Sequence, residues 1–139
     1  MLDTDFTEGA RFFGLWDAWL QDIRPHRLLH YVALVPSPPD ATGMLAGLPT
    51  DGRLAQYAAE LAAREWQGLA PGFHRLELSA GRILLTVCVG PLQETLREQQ
   101  FMADTVLLAG RNELDGPPVW DRWNLKALAR LCRRGTTFQ

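Results

Sequence analysis

The 139-residue chain has only two cysteines, Cys88 and Cys132, in no metal-ligand spacing. Too few for a disulfide framework, they read as two reduced, buried thiols of a cytoplasmic protein. Histidine is scarce too. His26 falls in a turn and His30 in the strand that follows, so their spacing of four does not place them on one helix face. Structural hydrogen bonding is the expected role of His26, His30 and His74, and no metal is expected. Charge of one sign is lacking: at a net −2 no global basic field points to nucleic acid, and an RNA site would have to be a local patch. Long apolar runs are missing, since none approaches the roughly 20 residues that span a membrane. The acidic N-terminus has no apolar signal core. No membrane association is expected, and there is no internal repeat.

What is present is ordinary for a soluble globular protein: 47% hydrophobic and 22% charged residues, enough for one core and one domain over residues 1–139. Asp5 followed by Glu8 resembles a capping box, so a helix is expected from near Thr7, ended by Pro25. Its apolar face would carry Phe12, Trp16, Trp19, Leu20 and Ile23. Leu28–Val35 is a near-continuous apolar run closed by prolines, the pattern of a buried parallel strand. The proline- and glycine-rich stretch to Gly52 reads as loop, with one helical turn around Met44. A helix is expected over Arg53–Leu69, then a β-hairpin of Phe73–Leu78 and Arg82–Val89 around Ser79-Ala80-Gly81. A short helix over Leu92–Gln99, a strand over Asp104–Leu108 and a helix over Trp120–Arg133, capped by Gly135, complete the reading. Strands alternating with helices imply an α/β fold with a mainly parallel sheet flanked by helices.

Five tryptophans are many for this length. Helical stripes explain four of them, which points to core packing rather than base stacking. Glu94 and Glu98, one turn apart, read as a solvated helix face. Lys126, Arg130, Arg133 and Arg134 form a basic end to the last helix, where they complement the helix dipole or meet nucleic-acid phosphates.

Several segments together carry a resemblance. Asp3-Thr4-Asp5-Phe6-Thr7-Glu8-Gly9, running on to Phe12, Leu15-Trp16 and Ala18-Trp19, is similar to E-T-G-F-G-T-G-L-N-F-L-x-L-W-x-A-W. Leu29-His30-Tyr31-Val32, Gly72-Phe73-His74-Arg75 and Leu128-Ala129-Arg130-Leu131 match further stretches of the same pattern. The chain resembles the methyltransferase domain of the bifunctional enzyme that finishes 5-methylaminomethyl-2-thiouridine at the tRNA wobble position. The resemblance implies a Rossmann-like sheet and S-adenosylmethionine as cofactor, in a pocket whose positions here are Thr4, Gly9, Val35 and Gly90. It puts the acid at the reaction end at the position of Ala109.

The departures fall on that pocket. Asp5 and Thr7 replace two glycines, Val35 replaces the acid that holds the ribose, Gly90-Pro91 replaces a glycine-aspartate pair near the adenine, and Ala109 replaces the reaction-end acid. New acids in the first turn would repel a carboxylate-bearing cofactor. Only Met1-Leu2 precede that turn and the chain stops near a fifth strand, so the first strand and the last two are expected to be missing. The exposed sheet would then favour a homodimer. The resulting expectation is a non-catalytic relic, a pseudoenzyme without cofactor, acting as a binding or scaffolding module. The alternatives are an active S-adenosylmethionine-dependent tRNA methyltransferase, and a regulator that binds tRNA or the intact enzyme through Arg130, Arg133 and Arg134.

Overall fold

The computed structural model describes residues 1–7, 9–24, 27–37, 40, 43, 46, 52–64, 66, 69–108 and 119–139. Six strands, β1 (Leu2–Asp3), β2 (Leu29–Val35), β3 (Gly72–Leu78), β4 (Ile83–Val89), β5 (Ala103–Leu107) and β6 (Cys132–Phe138), form one sheet in the order β3-β4-β2-β1-β5-β6. Only the β3–β4 hairpin pairs antiparallel; the other pairings are parallel. Four helices, α1 (Ala10–Gln21), α2 (Gly52–Ala62), α3 (Leu92–Glu98) and α4 (Arg122–Arg130), flank the sheet. The expected Rossmann-like α/β fold is borne out.

Strand alternation divides the core between the two faces. Tyr31, Ala33 and Val35 of β2, with Ile83, Leu85, Val87 and Val89 of β4, pack against Phe12, Phe13 and Trp16 of α1 and Tyr57, Ala58 and Leu61 of α2. Leu2, Val32, Leu34, Cys88 and Val106 turn to the other face and meet Leu96 of α3 and Leu128 of α4. Each such side chain taken fully from water contributes about 1.5–3 kcal/mol.

The first strand is present, which corrects the expectation that it is missing. Leu2 and Asp3 pair with Val32 and Ala33 on one side and with Val106 and Leu107 on the other. Two residues suffice because both neighbours are already built and the flanking amides extend the ladder. Met1 offers its carbonyl to Val32 N–H at 2.9 Å, and Thr4 N–H donates to Leu107 O at 3.0 Å. The gap between β2 and β5 that would motivate a homodimer is therefore filled.

The helix ends also differ from expectation. α1 begins at Ala10 behind Gly9, with no side-chain cap. Asp5 stays in the preceding turn, and Glu8 lies outside the described residues. Ile23, expected on the apolar face, is 94% exposed because α1 has already ended at Gln21. α2 stops at Ala62, and buried Trp66 follows it. The last helix ends at Arg130, so Arg133 and Arg134 lie on β6. Gly135 does not cap a helix. It sits in a bulge where Ala103–Thr105 of β5 faces Cys132–Thr137 of β6, and its φ of 93° suits glycine. The turn expected around Met44, His26, Pro25 and the Pro38-Pro39 pair all fall on or beside residues outside the described set.

Candidate functional site

Open parallel sheets bind ligands outside the carboxyl ends of their strands. Here that edge comprises Thr4 after β1, Val35 ending β2, Gly90 after β4 and Leu107 ending β5. Three of the four expected pocket positions therefore lie on one edge, and the fourth, Gly9, caps the helix that leaves it. Gly90 N–H donates to Val35 O at 2.9 Å. The backbone N–H and hydroxyl of Thr4 both donate to Leu107 O, each at 3.0 Å. Ala109 lies outside the described residues.

Among the described residues, the positions of the ribose acid and the adenine acid carry no side-chain acceptor. Val35 is buried and aliphatic. Pro91, which follows Gly90 and opens α3, has no N–H to offer. The turn over residues 4–7 folds inward: Asp5 N–H donates to Asp3 Oδ1 at 2.9 Å and Thr7 N–H to Asp5 O at 2.9 Å. Phe6 is buried against Phe12, Tyr31 and Trp66, with ring centroids 5.8–6.3 Å away. Gly9 is required by packing. A Cβ there would lie 3.1 Å from the Phe13 ring and 3.2 Å from the Phe6 ring, at a φ of 76° that disfavours other residues.

One residue of this edge stands where the resembled pattern opens on a glutamate. Asp3, almost fully buried, accepts from Tyr31 Oη–H and from Asp5 N–H. Burial pushes its carboxyl above the usual range, against the opposing pull of those two hydrogen bonds. Burial, reinforced by the neighbouring Asp3, raises the Tyr31 phenol as well. An acid with a raised folded pKa holds its proton better in the folded than in the unfolded chain. Its stabilising contribution is complete below the ordinary value of 3.8 and is lost as pH rises through the folded value. Asp3→Asn keeps an acceptor and removes the charge. The variant is expected to gain stability relative to the wild type as pH climbs from about 4 to 7, read as the difference in urea midpoints. Parallel curves at every pH would contradict this.

The remaining candidates serve local structure. His30 Nε2 shares a hydrogen bond of 2.9 Å with Thr86 Oγ1, and His74 Nε2 lies 2.6 Å from Ala70 O. Trp16 and Trp66 are buried, Trp19 and Trp120 half-buried, and Trp123 stands exposed beneath the Arg122 guanidinium. Glu94 and Glu98 lie on an exposed helix face. Arg130 donates to Leu96 O and Arg97 O, the closing carbonyls of α3, while Arg133 pairs with Asp104. Arg130, Arg133 and Arg134 thus divide between a helix end and the edge strand. Among the described residues no three His, Cys, Asp or Glu side chains form a group that could hold a metal, and no helix is long and apolar enough to cross a membrane.

Comparison with curated proteins gives one consistent result. A tRNA 5-methylaminomethyl-2-thiouridine biosynthesis bifunctional protein MnmC from Albidiferax ferrireducens is 44% identical over 143 residues, covering 99% of this chain and 23% of that protein. The MnmC proteins of an Acidovorax strain and of Paraburkholderia phytofirmans are 44% and 36% identical, over 98% and 99% of the chain and 21% of each protein. The chain is a homologue of one segment of MnmC. It spans less than a quarter of the length of the curated relatives it matches. No protein-family model matches it. Relation to MnmC tRNA-modification proteins and a methyltransferase-like sheet accord with the resemblance read from the motifs.

Proposed function

We propose that the chain is a methyltransferase-like domain without a working S-adenosylmethionine site, retained as a small binding or scaffolding module in tRNA modification. The observation that carries this reading is Val35, buried and aliphatic at the carboxyl end of β2, where the resemblance places the acid for the cofactor ribose. The inward-folded turn supports it, since the N–H groups of Asp5 and Thr7 are spent on Asp3 and Asp5. These residues do not fit the cofactor, and no methyl-transfer step is derived through it. Each lost charged hydrogen bond costs about 1.5–3 kcal/mol. Three such losses take a micromolar ligand beyond millimolar.

A second reading is an active methyltransferase acting on the aminomethyl group of wobble uridine. Its support is β1, which stands at the centre of the sheet and aims the following turn over the strand ends. The cofactor would then lie along residues 4–9, Val35 and Gly90, with Ala109 near the amine, and proximity would supply much of the rate. Incubating the purified chain with labelled S-adenosylmethionine and aminomethyluridine tRNA separates the two. No label above that of a protein-free blank is expected; turnover by the purified chain that grows with chain concentration would establish the second reading.

A further inference from the structure

A cleft of about 380 Å³ on the sheet face that packs α3 shares no lining residue with Thr4, Gly9, Val35 and Gly90. Its floor is a row across three strands: Val32 of β2 pairs with Thr86 of β4, which pairs with Arg75 of β3. Its far wall is the end of α3 and the segment after it, with Glu98 and Phe101; Phe73 lies beside Arg75 on β3. The volume lies in the range of sites for small molecules.

Two charges of opposite sign line this cleft, and neither Arg75 nor Glu98 has an ion-pair partner among the described residues. Arg75 offers a planar fork of N–H donors, a match for a carboxylate. Glu98 accepts from a cation. Phe73, half-exposed although apolar, and Phe101 supply aromatic surface within the same cleft. Thr86, hydrogen-bonded to His30, places a hydroxyl beside Arg75 in the row. Burial, with the nearby N-terminal ammonium and Arg75, keeps His30 below the usual imidazole range, so it adds no cation at neutral pH. The lining carries one positive and one negative charge, which favours a ligand with no net charge over a simple anion.

We infer that this cleft is a binding site for a small zwitterion with an apolar or aromatic body, the chemistry of a free α-amino acid. Arg75 holds the carboxylate, Glu98 holds the ammonium, and the side chain lies against Phe73 and Phe101. The site is independent of the cofactor edge, and its occupancy does not depend on whether S-adenosylmethionine binds.

Nuclear magnetic resonance titration of the whole chain tests this with L-phenylalanine, L-phenylalaninamide and 3-phenylpropionate, observing His30 and Thr86. L-Phenylalanine should shift these signals saturably with a Kd below about 1 mM, and each analogue lacking one charge should bind at least about tenfold more weakly. Arg75→Gln should remove the preference for the acid over the amide. Glu98→Gln should remove the preference for the amino acid over 3-phenylpropionate. Arg75 and Glu98 are exposed, so both variants should keep the fold, checked by circular dichroism. Shifts equal for all three probes, or none at about 10 mM of any, would overturn the assignment.

Discussion

Replacing Trp16 with alanine lowers the free energy of unfolding by about 3–5 kcal/mol. Trp16 is fully buried and stacks on Tyr57 of α2 with ring centroids 4.7 Å apart. It also meets Phe12 and Phe13, and its indole N–H donates to Ser79 Oγ at 2.7 Å. One side chain thus joins α1, α2 and the β3–β4 turn. That turn places Ser79 and Ala80 at φ of 50° and 52°, conformations that cost about 1–2 kcal/mol each for residues other than glycine. Removing Trp16 opens a large cavity and frees the Ser79 hydroxyl that helps hold the strained turn. Against a typical total of about 5–15 kcal/mol, the loss leaves a marginal fold. Trp123→Ala, at a half-exposed position, should change stability by no more than about 0.5 kcal/mol. Urea denaturation followed by circular dichroism measures both; a Trp16 loss below about 1 kcal/mol would show that the aromatic cluster is not the keystone of this face.

Restoring the pocket should create cofactor binding. Asp5→Gly, Thr7→Gly and Val35→Glu together return the two glycines and the ribose acid of the resembled pattern. Neither Asp5 nor Thr7 has a positive φ, so glycine at either position is not needed for the backbone and the substitutions act through the side chains they remove. Removing them opens the approach to the strand ends, and the new carboxylate supplies the acceptor that Val35 lacks. S-Adenosylmethionine should then bind at least about 100-fold more tightly than to the wild type, the equivalent of about 2.7 kcal/mol. Val35 is buried, so the glutamate costs stability. The Asp5→Gly/Thr7→Gly pair alone avoids that cost and should recover part of the gain. A folded triple variant that binds no better than the wild type would mean that these three departures are not what closes the site.

The parts of the fold legible in the sequence were those with a strong period. Leu29–Val35 is apolar apart from His30 because both faces of β2 are covered, and the hairpin shows two β-like runs around a turn. β1 was illegible because two residues show no period; its neighbours β2 and β5 create it. β6 was misread because its exposed, arginine-rich stretch at the sheet edge looks like the basic end of a helix, and Gly135 in a bulge looks like a cap. At the candidate site, the resemblance points to Thr4, Val35 and Gly90, which share one edge, and to Gly9, which caps the helix leaving it. Asp3 aligns with the pattern's opening glutamate, but its burial against Tyr31, 28 residues away in the chain, is set by the tertiary structure alone.

Isothermal titration of the wild-type chain with S-adenosylmethionine tests the central claim most directly. No saturable heat is expected up to about 1 mM cofactor, because Val35 and the inward-folded turn leave the cofactor's charged and polar groups unpartnered. A saturable isotherm with a Kd below about 0.1 mM would contradict the proposal and mark the edge formed by Thr4, Val35 and Gly90 as a working cofactor site.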